Sequence, residues 1–385
     1  MNSKVETLPK ENEMLKNKGQ IIYLIGKISL TVILLYFFLV GVSSLENGLK
    51  MMGSDFAKTL FDLTGAPFVG LMAGMLATVL FQSSSVTTSI IVGLVSAGTV
   101  SIEAAIPLVM GANLGTSVTN TLVSLGYINH KESFKRAFAA ATVHDFFNII
   151  TVIVLLPLEL ATGFIQKTAT ALSSLLYGTN TGIAYKSPIK AMIKPPVAFL
   201  KSNFEQISGD LAPALMIIAA GIIIIAALTL IVKNMKVLIE SNKSGIIDKV
   251  LTKNAVFSIV FGILVTISVQ SSSITTSLLV PMAGAGVLTL EAVYPVTIGA
   301  NIGTTATALI ASMTGNIAGL TIALVHLIFN VLGMILLFPV PALRELPLNC
   351  SRYLAKMVDR SKLYGIAYIA IVFFIIPLTL VLLNR

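Results

Sequence analysis

The chain has 385 residues, 55% hydrophobic and 11% charged, with a formal net charge of +9 and a mean hydropathy of +0.91. A soluble globular protein carries about 25% charged residues, so most of this surface does not face water and a soluble domain with a large core is excluded. No compact basic domain exists to make the positive charge a nucleic-acid footprint. One cysteine, Cys350, rules out an internal disulfide framework or a multi-thiolate metal site.

Residues 1–20 are polar, with lysines set against Glu6, Glu11 and Glu13. No small-residue cleavage site follows the first apolar run, so they read as a retained cytoplasmic tail and not a cleaved signal peptide. Residues 21–42 predict the first spanning helix. Residues 45–63 mix charges with Met51, Met52, Phe56 and Leu60, a pattern suited to a helix lying at the interface. Residues 67–81 are apolar but cover only roughly 22 Å as a helix, short of the ~30 Å hydrocarbon core. A serine triplet interrupts them and 86–97 runs on for a similar distance. This predicts a re-entrant hairpin over 67–98 that turns at Gln82–Ser85.

Residues 102–127 can span, but Gly111-Ala-Asn-Leu-Gly115 predicts an unwound centre, tolerated only where protein or a cavity surrounds it. Residues 134–157 span next and are expected to end at Pro157. Residues 158–208 form an extracytoplasmic loop with amphipathic pieces, and 213–232 span again. A second hairpin over 254–286 turns at Gln270–Ser273. A second broken helix, 290–314, is expected to unwind at Gly299-Ala-Asn-Ile-Gly303. Residues 316–338 span and stop before Pro339; 341–363 read as a polar cytoplasmic loop and 364–385 as the final membrane helix.

Two of these stretches are near-copies. FQSSSVTTSIIVGLVSAGTVSIEAAIPLVMGANLGTSVTNTLVSL occupies 81–125, and VQSSSITTSLLVPMAGAGVLTLEAVYPVTIGANIGTTATALIASM occupies 269–313. An offset of 188 brings Gln82 onto Gln270, Glu103 onto Glu291 and Asn113 onto Asn301, without a gap. His144-Asp-Phe-Phe-Asn148 returns as His326-Leu-Ile-Phe-Asn330, and Pro157 as Pro339, at an offset of 182. The units are therefore 21–157 and 209–340. Three membrane crossings separate the hairpins, an odd number, which predicts an inverted repeat. The expected fold class is an all-α polytopic membrane protein of inverted repeats, each with a re-entrant hairpin and a broken transmembrane helix. The loop charges agree with a cytoplasmic N-terminus: Lys131, Lys135 and Arg136; the five lysines of 233–253; and Arg344, Arg352, Lys356, Arg360 and Lys362 fall inside. Five more lysines lie outside, spread over 158–208.

The repeated residues are costly ones in an apolar setting. At a hairpin tip, the second arm presents free backbone N–H groups and the positive end of its dipole, a ready anion site. Serine hydroxyls cap such a helix and donate to an anion. Two tips entering from opposite sides would converge on one oxyanion near the midplane; the bland alternative is close helix packing by small residues. The two Gly-Ala-Asn segments would add carbonyl and threonine oxygens, and the glutamines amide oxygens, suited to a hard cation such as sodium. The alternative is a plain glycine kink.

Asp145 stands inside a span, with Leu327 as its repeat counterpart. An intramembrane carboxylate can bind a cation or carry a proton, or it can pair with a basic neighbour. His144/Asn148 and His326/Asn330 each share a helix face and favour interhelical hydrogen bonding over metal binding. Glu103 and Glu291 read as N-terminal charges of their helices. No G-x-S-x-G elbow, cofactor fingerprint or Walker A motif is present, which speaks against an enzyme or an ATP-driven pump.

The QSSS of both halves, GANLGTSVTNTLVSL, ATVHDFFN and GANIGTTATALIASM resemble the type II sodium-coupled phosphate cotransporters, over about 67–157 and 213–383. The resemblance implies sodium-driven uptake of inorganic phosphate by alternating access, with sodium as coupling ion and no cofactor. The phosphate site would be Gln82, Ser83, Ser84 and Ser85 with Gln270, Ser271, Ser272 and Ser273. Gln270, Thr304 and Thr307 look like sodium ligands, and Asn113, Thr116, Asn301 and Asp145 complete the cation candidates. Asp145, with Ala139 and Ala141 upstream, is similar to the family's A-x-A-x-x-x-D pattern, which accompanies an additional sodium and net charge movement.

Some features depart from the family. Animal members carry a large disulfide-bonded external loop where 158–208 has no cysteine, and many have serine where Ala300 stands. Short loops and a short tail suggest a bacterial inner-membrane protein. The alternative readings are a sodium-coupled carrier of sulfate or arsenate, and a non-transporting phosphate sensor or scaffold.

Overall fold

The computed structural model of the protein describes residues 8–52, 66–177, 188–208, 211–240 and 254–383. These residues form helices, with no strand among them. Among the described residues, five helices are long and apolar enough to cross a membrane: Ile22–Met51 within α1 (Leu8–Met51), α6 (Lys131–Thr162), Ala212–Ile231 within α9 (Ala212–Glu240), α13 (Ile317–Leu337) and α15 (Leu363–Leu383). The protein is an all-α multi-pass membrane protein.

Between these lie shorter pieces that come in two sets. The first is α2 (Pro67–Phe81), α3 (Ser84–Ala97), α4 (Ile102–Gly115) and α5 (Val118–Ser124). The second is α10 (Ala255–Val269), α11 (Ser272–Gly284) and α12 (Leu290–Ser312). Amphipathic helices α7 (Phe164–Tyr177) and α8 (Pro188–Ser208) follow α6, and α14 (Pro341–Arg360) follows α13.

Within each set the first and third helices lie backbone to backbone, α2 on α4 and α10 on α12. Glycine makes this possible. A Cβ on Gly111 would run into the Leu71 carbonyl, and one on Gly74 into the Leu108 carbonyl. The same collisions recur 188 residues on, at Gly299 with Ile259 and at Gly262 with Val296. Small residues that let membrane helices approach closely are the usual means of packing where no hydrophobic effect drives it.

This packing corrects the expected unwinding. The helix does not open at Gly111–Gly115; α4 runs through Gly115 and breaks afterwards, at Thr116–Ser117. It does not open at Gly299–Gly303 at all, since α12 is continuous from Leu290 to Ser312. The glycines serve close approach and not chain reversal, and a helix keeps its backbone groups bonded where no water is present.

Other boundaries shift for similar reasons. Leu45 and Leu49 belong to α1 and are buried, Leu45 against Gly93 of α3, so residues 45–51 continue the first spanning helix, with one face in the core, and do not form a separate interfacial helix. The rest of that expected helix, 53–63, lies outside the described residues, as do 1–7 of the tail, 178–187 and 241–253. α6 continues through Pro157 to Thr162. The stretch read as a polar loop after 338 is the helix α14, which packs on α6.

The two sets interlock. α3 packs on α12 and α11 packs on α5, so each second short helix crosses to the other set. α1 and α9 lie against each other at the flank, and α15 covers α2.

Candidate functional site

The two short-helix pairs are held shut in the same way. Thr78 Oγ1 donates to Thr87 Oγ1 at 3.0 Å, and Thr266 to Thr275 at 2.9 Å. At each tip a glutamine adopts the left-handed conformation, φ 52° at Gln82 and 56° at Gln270. That backbone costs a non-glycine residue about 1–3 kcal/mol and persists only when its surroundings hold it. Here the side chain does so. Gln82 Nε2 donates to Val79 O and Gln270 Nε2 to Ile267 O, both at 2.6 Å. With nitrogen engaged, the amide oxygen accepts: Thr119 Oγ1 donates to Gln82 Oε1 at 3.2 Å, and Thr307 to Gln270 Oε1 at 2.9 Å.

After each glutamine comes the start of a helix. Ser83 caps α3 through Val86 N and Ser271 caps α11 through Ile274 N. Ser84, Ser85 and Ser272 are buried, while Ser273 is half-buried. The tips touch: Ser85 Oγ donates to Gln270 O at 3.3 Å. Two helix N-termini with hydroxyl-bearing first turns therefore meet within the protein. They are unequal in access, since Gln82 is exposed and Gln270 buried.

Beneath the tips lies a buried polar knot that joins the sets crosswise. His144 of α6 meets Asn301 of α12 at 3.1 Å, and His326 of α13 meets Asn113 of α4 at 3.3 Å. Asn148 Nδ2 donates to Asn113 O, and Asn330 Nδ2 to Asn301 O. Asn301 Nδ2 donates to both Asn148 Oδ1 and Asn330 Oδ1. Asn113 and Asn301, candidates for a cation, thus have their side chains engaged with other side chains and backbone. Thr116 and Thr304 donate back to Ala112 O and Ala300 O within or at the end of their own helices. Their hydroxyl oxygens still have acceptor capacity. Thr307 stands with Gln270 at the tip.

Asp145 is 2% exposed and lies apart from a basic partner. Tyr368 of α15 donates its hydroxyl to Asp145 Oδ2 at 2.8 Å, and Asp145 Oδ1 accepts no hydrogen bond. Ser117 and Thr121 stand beside the carboxylate, their hydroxyl protons turned to Leu114 O and Ser117 O. The Tyr368 ring is held among Phe138, Phe146 and Phe373. A π-helical turn, Ile371–Ile375, follows directly in α15. The apolar final span carries no signal that singles out Tyr368. Asn120 is a second residue that sequence reasoning passes over: it accepts from Thr276 and Ser277 of α11. Its position in the first copy, where the second has Ala308, is the one available hint.

The helix-start acids differ in their partners. Glu103 takes Gln166 Nε2 of α7, and Glu291 pairs with Arg352 of α14, which also meets Glu345 at 2.9 Å. The two carboxylates raise the Arg352 pKa further. No cluster of metal-binding side chains occurs among the described residues.

Comparison with known proteins gives these features a setting. Residues 37–183 and 223–346 match the family described as Na+/Pi-cotransporter. Sodium-dependent phosphate transport protein 2A of Rattus norvegicus is 31% identical over 91% of this chain, and that of Oryctolagus cuniculus 33% over 91%. Sodium-dependent phosphate transport protein 2B of Homo sapiens is 30% identical over 92% of the chain. The chain spans 66%, 66% and 65% of these relatives' own lengths. No solved structure matches. With the family match covering both halves, including both glutamine–serine tips, the chain belongs to the Na+/Pi-cotransporter family.

Proposed function

We propose that this chain carries inorganic phosphate across the membrane together with sodium, as a symporter working by alternating access. The observation that carries the reading is the meeting of the two tips at Ser85 and Gln270. Two helix N-termini and their serines provide N–H and O–H donors to one small oxyanion, and a dipole of favourable sign from each side. The names of the relatives supply phosphate and sodium as the chemistry. Gln82, Ser83, Ser84 and Ser85 with Gln270, Ser271, Ser272 and Ser273 form the anion site. The short-helix pairs are re-entrant hairpins of two inverted units, and the unequal exposure of Gln82 and Gln270 suits a carrier that opens to one side at a time.

Sodium binds through Gln270 and Thr307 with Thr304, where amide and hydroxyl oxygens cluster. A further cation at Asp145 makes the cycle carry net charge. The basic loops favour a cytoplasmic N-terminus, and the short loops suit a bacterial inner membrane. Uptake of labelled phosphate into proteoliposomes under an inward sodium gradient tests the function, with sulfate and arsenate as competitors. Sodium-dependent uptake that sulfate leaves intact is expected. Binding without uptake would identify a sensor, and a sulfate-preferring uptake another oxyanion carrier.

A further inference from the structure

The seam between α1 and α9 opens into a groove of about 260 Å³, lined by Lys27, Leu30 and Leu34 of α1 and by Leu230, Lys233 and Asn234 of α9. Asn234 ties the two helices together there: its Nδ2 donates to Lys27 O at 2.8 Å and to Thr31 Oγ1 at 2.9 Å. That link puts Lys27 and Lys233 at one level on neighbouring helices. The helices run antiparallel, since Lys27 meets Asn234 while Gly48 meets Ile217. Leu30 and Leu34 follow Lys27 by one and two turns on the same face of α1, and Leu230 precedes Lys233 by one turn on α9. All three leucines therefore lie on the side of the lysines that leads into the spans.

Leu30 and Leu230 are 42% and 48% exposed on membrane-crossing helices, so the groove opens to lipid. Lys233 is exposed, and Lys27 is half-buried with its ammonium 5.5 Å from the centre of the Tyr23 ring. Among the described residues neither lysine pairs with a carboxylate. Lys27 stands within its span, where an unpaired charge is costly. Two like charges on one groove repel until an anion lies between them. A free phosphate ion would meet the lysines and make no use of the leucines. A zwitterionic lipid brings a cation of its own. What matches this order of charge followed by hydrocarbon is a lipid with a net negative head, the kind of ligand that basic pockets between membrane helices take up.

We propose that the groove binds one anionic phospholipid, its phosphodiester held between Lys27 and Lys233 and an acyl chain laid along Leu30, Leu34 and Leu230. The lipid clasps α1 to α9, so its binding stabilises the folded protein by mass action. Nothing in this depends on the transport proposed above, and the two readings stand or fall separately.

Native mass spectrometry of the full chain, released from neutral detergent, tests the site by titration with phosphatidylglycerol and, separately, with phosphatidylcholine. Phosphatidylglycerol should bind at least about tenfold tighter. Each lysine near an anionic surface contributes about fivefold, so Lys27→Gln and Lys233→Gln should each lose about that factor and the double variant should lose the preference. Leu230→Gln keeps both lysines but makes the path of the chain polar, and should also weaken phosphatidylglycerol. Lys356→Gln, an exposed cation on α14, is the control and should change nothing. Equal binding of the two lipids, a preference that survives in the double variant, or an equal loss in Lys356→Gln would overturn the proposal. So would displacement of the lipid by millimolar inorganic phosphate, which would make this a site for the free ion.

Discussion

His144 Nε2 lies 3.1 Å from Asn301 Oδ1, so a side chain of α6, which follows the first set, closes on α12 of the second. Asn301 donates through its nitrogen to Asn148 and Asn330, which leaves its oxygen as acceptor and puts the imidazole hydrogen on Nε2. The reverse contact joins His326 to Asn113. Each histidine is wholly buried. The knot therefore fixes how the two sets sit on each other.

Asn301→Ala removes three hydrogen-bond partners at once. A buried polar group left unsatisfied costs about 1–3 kcal/mol, and the loss here strands His144, Asn148 and Asn330 together. The variant should unfold at a clearly lower temperature in detergent than Asn316→Ala, which loses a helix cap and a bond to Ser96 O. Equal effects would show that the knot adds nothing beyond an ordinary contact.

Gly299→Ala and Gly111→Ala should each destabilise the protein by roughly 1–3 kcal/mol, the usual cost of forcing a methyl into a packed interior. The opposing atoms are backbone carbonyls and cannot turn away. Gly26→Ala, with open space around it, is the control and should be close to neutral. Thermal unfolding of the three purified variants decides this.

At the tips, Ser84→Ala and Ser272→Ala should raise the phosphate concentration for half-maximal uptake. A hydrogen bond to a charged group is worth about 1.5–3 kcal/mol, which corresponds to roughly tenfold or more in affinity. Unchanged affinity in both single variants would remove the anion from the tips.

Thr307→Val keeps the shape at Gln270 and loses the hydroxyl that bonds its amide oxygen. Sodium activation should weaken more than phosphate affinity. Some loss of phosphate affinity at fixed sodium must accompany it, because coupling between two ligands is reciprocal. If sodium activation of the folded variant matches the wild type, the coupling ion binds elsewhere.

Asp145→Gly should still require sodium yet respond less to an imposed potassium-diffusion potential. Each charge that crosses the full potential contributes about 2.3 kcal/mol per 100 mV, so one cation fewer flattens the voltage response. Tyr368→Phe keeps the carboxylate and loses its hydrogen bond at Oδ2. It should shift the sodium dependence of that response without abolishing it. A full voltage response in active Asp145→Gly protein would place the extra charge on another group.

Much of this was legible in the chain. Charge content alone excluded a soluble fold, because an exposed surface cannot be so apolar. The duplicate stretches located both tips, since glutamine and three serines stand out against an apolar run. The i,i+4 spacing of His144 with Asn148, and of His326 with Asn330, predicted interhelical hydrogen bonds. What spacing could not tell is that each histidine's partner lies in the other half of the chain.

The glycines were the misleading signal. In one dimension, two glycines around an asparagine look like a weak point in a helix. In three, Gly299 and Gly111 are where a second backbone arrives, and the helix holds because its own bonds have no water to replace them. Pro157 misled in the same way, inside a helix that continues to Thr162.

Composition and residue order suffice to identify a membrane protein built on a duplicated serine-tipped motif with one isolated carboxylate. The company each residue keeps comes from the packing of the helices. That packing placed Ser85 against Gln270, crossed His144 to Asn301, and brought Tyr368, more than two hundred residues away, onto Asp145. Such pairings depend on how helices stack, and stacking is set by which faces are small enough to meet, a property of the packed whole that no single segment carries.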